Sequence, residues 1–452
     1  MFDRSPARTY NLLAMTTVAI ETLGCKLNQA ESEALARELL AAGFQVVSPG
    51  DGADVYIVNT CTVTHVADRK ARHLLRLARR RNPRALIVAA GCYAERASDA
   101  LKCLEGVDLV VGADKSSLVE MLLNSGEGAD CFVPMESGLA MTQEERLRPS
   151  RTVFRTRSQV KVQDGCDAFC TYCIVPHVRG RERSIPPDRV VREVKSRVDE
   201  GYREVVLTGT RVGSYRHNGA VLQGLVERIL SETGVARLRL SSLQPRDLTP
   251  GLLALWSNPR LCRHFHLALQ SGSGETLKRM AREYSLQEYR EAVARIRASV
   301  PGVAITTDVI VGFPGETDGE FEESYRFCEE MDFAGIHTFP YSVRSGTAAA
   351  EMPGQVAELF KRERKEMMLR LARESAGRFR ERFIGKRQEV LWEGEDDGFL
   401  SGLTDNYIRV LAPARSPMVN EILLVRLAAQ GEGWLMGEHL APASSGFPLP
   451  RE

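Results

Sequence analysis

Apolar and polar positions follow two periods along this chain. Short apolar runs occur at residues 17–24 (TVAIETLG), 55–60 (VYIVNT), 85–91 (ALIVAAG) and 108–112 (DLVVG). Between them, at 30–43, 67–80 and 115–124, apolar residues recur every third or fourth position. The runs read as buried strands and the intervening segments as amphipathic helices. Strand then helix, repeated, predicts a parallel sheet. Residues 125–150 are polar and aperiodic, which predicts an edge strand and linker. A second alternation follows, with strands expected at 158–163, 203–209, 237–242, 265–270, 304–313 and 335–342. Helical patterns sit between them, at 188–202, 224–234, 285–300 and 318–333. Six such repeats predict a partial or full β/α barrel, whose active site lies at the C-terminal ends of its strands. A charged helical connector is expected at 358–385. Five short strands with turns between them, at 388–394, 398–404, 407–412, 420–430 and 433–440, predict a small β-barrel of a kind that often binds RNA. The expected class is α/β, with units at 15–130, 150–350, 351–384 (the connector) and 385–442.

Composition narrows this picture. The chain of 452 residues is long enough for two or three domains. Lys and Arg (60) nearly balance Asp and Glu (59), so a nucleic-acid surface has to be a local patch. No apolar run reaches the roughly 18 residues that span a bilayer, and the start lacks a secretory pattern. A cytoplasmic protein without a membrane partner is expected. The strand pattern begins just after Met15, so residues 1–14 are either a disordered extension or lie ahead of the true start.

Ten cysteines in a chain of this size do not make a disulfide scaffold; clustered ones bind metal or do redox chemistry. Cys166, Cys170 and Cys173 are spaced C-x3-C-x2-C within DGCDAFCTYCIVP, just past the first strand of the second series. Three readings fit. A structural zinc would recruit His177 as a fourth ligand. A redox pair of Cys170 and Cys173 would leave Cys166 unexplained. An iron–sulfur cluster on three thiolates would leave one iron open. Cys25, Cys61 and Cys92 each follow an apolar run of the first series. Tips of parallel strands line one sheet edge, so these thiols are expected to converge on a second three-thiolate cluster. Cys103, Cys131, Cys262 and Cys328 show no such pattern.

The C-x3-C-x2-C motif after a first barrel strand resembles that of the radical S-adenosylmethionine enzymes. That resemblance implies a cluster whose open iron chelates the methionine moiety of S-adenosylmethionine, and whose electron cleaves the sulfonium. The protein then supplies position and shielding. It also implies cofactor contacts at Tyr172, beside the last cysteine, and at Gly209, Ser242, Gln270 and Asp308 near the ends of successive strands. Relatives often carry Gly-Gly-Glu at the second strand end, where this chain has Val206–Thr210.

Two three-cysteine sites, a radical barrel and a terminal β-barrel together resemble the methylthiotransferases, from about Thr16 to Leu440. The resemblance implies two 4Fe-4S clusters, S-adenosylmethionine, an electron donor of flavodoxin or ferredoxin type and a sulfur source. The N-terminal cluster would carry the sulfur, and the barrel cluster would generate the radical that takes hydrogen from the target carbon. NTCTVTHVADRKAR (59–72) and GCYAERA (91–97) are similar to the branch that modifies carbon 2 of threonylcarbamoyladenosine beside the tRNA anticodon. Other branches act on isopentenyladenosine or on a ribosomal-protein aspartate. A non-catalytic zinc protein that binds RNA is the remote alternative.

RNA is also suggested by charge. Ala67, Ala71, Leu74, Leu75 and Ala78 share one helical face, and Arg69, Arg72, Arg76 and Arg80 lie opposite. No acid falls between Asp68 and Glu95, so phosphate contact with the anticodon stem-loop is expected there. A second basic stretch covers 146–161. The terminal barrel resembles the TRAM-type RNA-binding barrel.

Overall fold

The computed structural model describes residues 16–125, 156–414 and 418–440. The extension at 1–14, the linker at 126–150, Cys131 and most of the second basic stretch lie outside the described residues.

The N-terminal sheet holds β1 (Thr17–Thr22), β2 (Gln45–Val47), β3 (Val55–Thr60), β4 (Leu86–Gly91) and β5 (Leu109–Val111). Its order is β2-β1-β3-β4-β5, with every pair parallel. The pattern of apolar runs foretold four of these strands. The extra one, β2, has only two apolar residues after Gln45, whereas all three residues of the equally short β5 are apolar. All six residues of β3 are buried, because helices cover both faces. Leu35 and Leu39 of α1 (Lys26–Ala41) pack on Val18, Ile57 and Val88. Ala71 and Leu75 of α2 (His65–Arg81) pack on Tyr56, Val58 and Ile87. Thr64 caps α2 by accepting from the Ala67 amide. The strand order reverses between β1 and β3, and ligands of such sheets sit at the C-terminal ends beside that reversal.

The second series forms a partial barrel of β6 (Arg157–Lys161), β7 (Glu204–Thr208), β8 (Arg237–Leu240), β9 (His264–Leu267), β10 (Ala304–Val311) and β11 (Gly335–Pro340). Neighbours are parallel and run in chain order. Between β8 and β9 the ladder thins to one bridge, Leu238 with Leu261. Beyond it, Ser242–Leu243 switches to pair with His266–Leu267. No ladder joins β6 to β11 among the described residues, so the barrel is open along one side. α1 lies against β6, where the Glu33 carboxylate accepts from the Gln159 amide at 3.3 Å.

Three further helices matter to the site: α3 (Cys92–Arg96), α4 (Val175–Arg179) and α5 (Glu358–Glu381). The segment expected as a connector is also a wall. α5 buries Met368 and Leu371 in the barrel core, and its Ser375 hydroxyl donates to the Phe333 carbonyl. Five strands then close a small barrel, β12 (Arg387–Asp396), β13 (Phe399–Thr404), β14 (Arg409–Pro413), β15 (Ile422–Gln430) and β16 (Leu435–His439), in the order β12-β13-β14-β16-β15. Its core holds Trp392, Leu400, Val410, Val425 and Leu427. It docks under the large barrel, at the N-terminal ends of the strands. Arg263 pairs with Asp405 at 2.6 Å, and Arg237 donates to the carbonyls of Leu403 and Glu389. No described helix is long and apolar enough to cross a membrane.

Candidate functional site

The N-terminal cysteines sit on three separate strand tips. β3 and β4 pair Thr60 with Gly91, so Cys61 and Cys92, the next residues, are neighbours. Cys25 directly precedes α1. The residue before it, Gly24, has φ +96°. A Cβ there would stand 2.5 Å from the Cys61 Cβ and 2.7 Å from its Sγ, so only glycine lets the first tip approach the second. Gly91, at φ +93°, leaves a Cβ only 2.5 Å from the Asn59 Oδ1. Asn28 ties the first two tips together, its Nδ2 donating to the carbonyls of Leu23 (2.8 Å) and Thr60 (3.0 Å). Burial pushes the Cys61 thiol up to about 12 and raises that of Cys92, and the charge of Cys25 opposes ionisation of both.

The barrel cysteines share one loop between β6 and α4. Cys170 is buried, and Cys166 and Cys173 are partly so. The loop is pinned from outside. The Thr171 amide donates to the Met280 carbonyl (3.1 Å), and the Ala349 amide donates to the Thr171 carbonyl (2.8 Å). Burial pushes the Cys173 thiol up to about 12 and raises that of Cys166.

Both sets suit a multi-iron cluster better than a single zinc. A lone zinc with Zn–S bonds of about 2.3 Å needs its sulfurs about 3.8 Å apart. Among the described residues, only His266, Asp308 and His337 bring three His, Cys, Asp or Glu ligand atoms within 4.8 Å of one another. Neither cysteine triplet is that tight. His177 does not complete a zinc set: it is exposed in α4, and its ring lies edge-on to Phe169 at 6.1 Å. The buried thiols are neutral by themselves, and bound iron would hold them as thiolates.

Each set also has a neighbouring guanidinium that the sequence did not reveal, Arg179 buried and Arg282 partly so. Arg282 donates from Nη1 to the Cys170 Sγ at 3.2 Å. Arg179 donates to Asn28 (2.6 Å), Glu31 (2.7 Å) and Asp164 (3.0 Å), and its charge eases ionisation of Cys92. Such cations offset the negative charge of a thiolate-ligated cluster. Arginine is common in this chain, so nothing in its spacing singled out these two.

The two sites touch. Cys92 packs against Ile174 and Val178, on the loop and helix that follow Cys173. Two ionic hubs fix this contact. Glu31 on α1 accepts from Lys115 (2.7 Å), Arg179 (2.7 Å) and Lys161 (3.2 Å). Burial opposes its charge, but Lys115 and Arg179 outweigh that and hold its carboxyl well below the usual range. Asp68, the one acid of α2, accepts from Thr62 (2.7 Å), Arg96 (2.8 Å) and Arg344 of the large barrel (2.6 Å). With Asp68 turned inward, Arg69, Lys70, Arg76 and Arg80 are left exposed on α2.

The remaining expected positions spread over the barrel mouth and interior. Tyr172 packs beside Met280, Phe313 and Tyr341. Gly209 follows β7, and Ser242 stands in register with His266. Gln270, at φ +69°, exchanges backbone hydrogen bonds of 2.8 Å with Asp308 and Ile310. Asp308 meets the His266 ring at 3.2 Å. The structure thus gathers Ser242, Gln270 and Asp308 around His266, while Tyr172 stays with the cysteine loop. Among the described residues, buried atoms without a partner point to a polar ligand near the strand ends: the hydroxyls of Thr210, Ser241 and Ser273 and the Arg282 Nη2. Thr210 and Ser241 are each one residue from an expected contact. A period-2 reading of the strands could have found His266, which shares a face with His264.

Comparison with known proteins agrees with this geometry. The Radical SAM superfamily matches residues 160–328, and an uncharacterized protein family designated UPF0004 matches residues 17–112. The threonylcarbamoyladenosine tRNA methylthiotransferase MtaB of Bacillus subtilis is 36% identical, over 94% of this chain and 96% of its own. The protein of the same name from Thermotoga maritima is 41% identical, over 87% and 91%. A tRNA-2-methylthio-N(6)-dimethylallyladenosine synthase from Moorella thermoacetica is 36% identical, over 94% and 98%. Among solved structures, the radical S-adenosylmethionine methyltransferase TsrM from Kitasatospora setae shares the fold, with a TM-score of 0.53 at 16% identity over 72% of each chain. With relatives this similar along nearly the whole of both chains, the chain belongs to the radical S-adenosylmethionine methylthiotransferase family.

Proposed function

We propose that this protein adds a methylthio group to carbon 2 of N6-threonylcarbamoyladenosine beside the anticodon of tRNA. The observation that carries the reading is the contact between two three-thiol sites, through Cys92, Ile174 and Val178. One site alone would cleave S-adenosylmethionine; the neighbouring one gives that cleavage a sulfur to deliver. Similarity to proteins named for threonylcarbamoyladenosine, at 36–41% identity, supports the substrate.

Cys25, Cys61 and Cys92 would hold one 4Fe-4S cluster, and Cys166, Cys170 and Cys173 the other. When bound, the barrel cluster supplies the electron that cleaves S-adenosylmethionine, and the N-terminal cluster supplies the sulfur that is methylated and transferred. The chain's own residues do the rest. Arg179 and Arg282 balance charge beside the thiolates. Tyr172, Gly209, Ser242 and Gln270, with the unpartnered hydroxyls of Thr210, Ser241 and Ser273, surround the cofactor. Asp308 faces the interior with His266 and His337. Phe339 is exposed on the same face of β11 as His337 and offers a ring on which a splayed-out adenine can stack.

The unit at 15–130 carries the sulfur, that at 150–350 the radical chemistry, and that at 385–442, held by the connector at 351–384, grips RNA. The basic row on α2 takes phosphates of the anticodon stem-loop. An electron donor of flavodoxin or ferredoxin type and a sulfur source complete the cycle, in the cytoplasm.

The test is nucleoside mass spectrometry after anaerobic reconstitution with an anticodon stem-loop carrying threonylcarbamoyladenosine. The methylthio derivative is the expected product. Product only on isopentenyladenosine or on a ribosomal-protein peptide would move the enzyme to another branch, and purification with two zincs and no iron would end the reading.

A further inference from the structure

The floor of the large barrel is polar, and among the described residues all but one of its cations are paired. Arg157, Glu204 and His264 begin β6, β7 and β9, and Arg239 lies in β8. Arg239 pairs with Glu204 at 2.7 Å, and Arg157 pairs with Glu393. Tyr407, from the turn between β13 and β14, plugs this floor from below, stacked on His264 with ring centroids 4.5 Å apart. Burial opposes ionisation of its phenol, but Lys26 and Arg157 outweigh that and lower it.

The unpaired cation is Lys26. It is the residue after Cys25, at the first position of α1, and it reaches into the open side of the barrel. Its Nζ stands 5.8 Å from the centroid of the Tyr407 ring. Around it lie the Tyr407 ring, the Arg239 and Arg157 guanidiniums and the Glu204 carboxylate, and its charge also acts on His264 and His337. Its ammonium makes no ion pair or hydrogen bond among the described residues. An enclosed ammonium without a counter-ion is costly, and an arriving anion would relieve that cost. Lys26 is half-buried, and His337 and Phe339 on β11 are exposed. One cation next to Cys25 thus stands near an aromatic ring and a histidine pair, with no carboxylate paired to it among the described residues.

We propose that the Lys26 ammonium binds the carboxylate of the amino-acid group carried by the substrate adenine, above the floor made by Arg157, Arg239 and Tyr407. The pocket then selects an adenosine with an acidic N6 substituent over one with a hydrocarbon substituent. This rests on the substrate reading above and deepens it. Arg157 and Arg239 are already satisfied, so Lys26 alone is free to pair, and it binds in the same step that places the base beside the N-terminal cysteines. The methionine moiety of S-adenosylmethionine is the other carboxylate within this enzyme's chemistry.

The test uses the reconstituted full-length enzyme and three stem-loops, carrying threonylcarbamoyladenosine, its carboxyl methyl ester, and isopentenyladenosine. The wild type is expected to prefer the acid to the ester by about 10- to 100-fold in kcat/KM, the range for a hydrogen bond to a charged group. Lys26→Met should bring the acid-to-ester ratio close to one, and Lys26→Arg should restore part of it. Iron content and the KM for S-adenosylmethionine should hold in both variants. A ratio that survives in Lys26→Met overturns the inference. So does a rise in the KM for S-adenosylmethionine by the same factor, which assigns the ammonium to the cofactor. Should Lys26→Met lose iron, the wild-type ratio still decides, because a wild type indifferent to esterification has no carboxylate receptor. A wild type active only on isopentenyladenosine instead removes the substrate reading itself.

Discussion

The two cysteine sites solve one chemical problem in opposite ways. The barrel site takes all three thiols from eight consecutive residues, 166–173. The N-terminal site takes them from three strand tips spread over 68 residues, 25–92. A loop can preorganise its own cysteines, and neighbours such as Met280 and Ala349 need only pin it. Strand tips converge only if the sheet order, the register and two glycines are all right. The N-terminal site should therefore be the more fragile, and remote changes should reach it first.

The sharpest break is Gly24→Ala. The added methyl meets Cys61 at 2.5 Å in a backbone conformation that alanine avoids. Iron should fall from about eight per chain to about four, the content of one four-iron cluster. Methylthiolation should disappear while reductive cleavage of S-adenosylmethionine persists. Equal loss of both clusters would mean that the sites are not independent.

A smaller effect is expected at the hub between them. Glu31→Gln leaves Lys115, Arg179 and Lys161 without their shared carboxylate, which should destabilise the protein by about 3–5 kcal/mol in chemical denaturation. The pH dependence has a definite sign. The Glu31 carboxyl is depressed in the folded state, so its contribution is present above the unfolded value near 4.3 and is lost as pH falls below it. Acid titration of stability should show this loss in the wild type and its weakening in Glu31→Gln. An identical acid limb in both proteins would exclude Glu31 as the cause.

The smallest effect is at His177. Although it lies four residues from Cys173, it is exposed and away from the thiols. His177→Ala should keep the full iron content and leave the cluster absorption spectrum unchanged. A loss of iron there would return the barrel site to a four-ligand reading.

The same contrast explains what could be read in advance. The barrel site was legible because its spacing is local, and the strand tips were legible because each cysteine ends an apolar run. The guanidiniums of Arg179 and Arg282, the polar floor and Lys26 were not legible. Each depends on side chains from elements up to 381 residues apart, as between Lys26 and Tyr407. The basic face of α2 could be read from its period. That its lone acid, Asp68, turns inward to Arg344 could not, since the two are 276 residues apart. β2 escaped because its two valines follow a glutamine and make no continuous apolar run, unlike the equally short β5.

By itself the sequence determined the order of the elements and the two cysteine sets, because periodicity and short spacing are properties of the chain, while the class of chemistry came from its resemblance to the methylthiotransferases. Tertiary structure alone decided that the two sets share one wall, that a guanidinium stands beside each, and that among the described residues the Lys26 ammonium in the barrel is left without an ion pair. Pairing is settled only when every other charge has found its partner, and that is a property of the packed molecule.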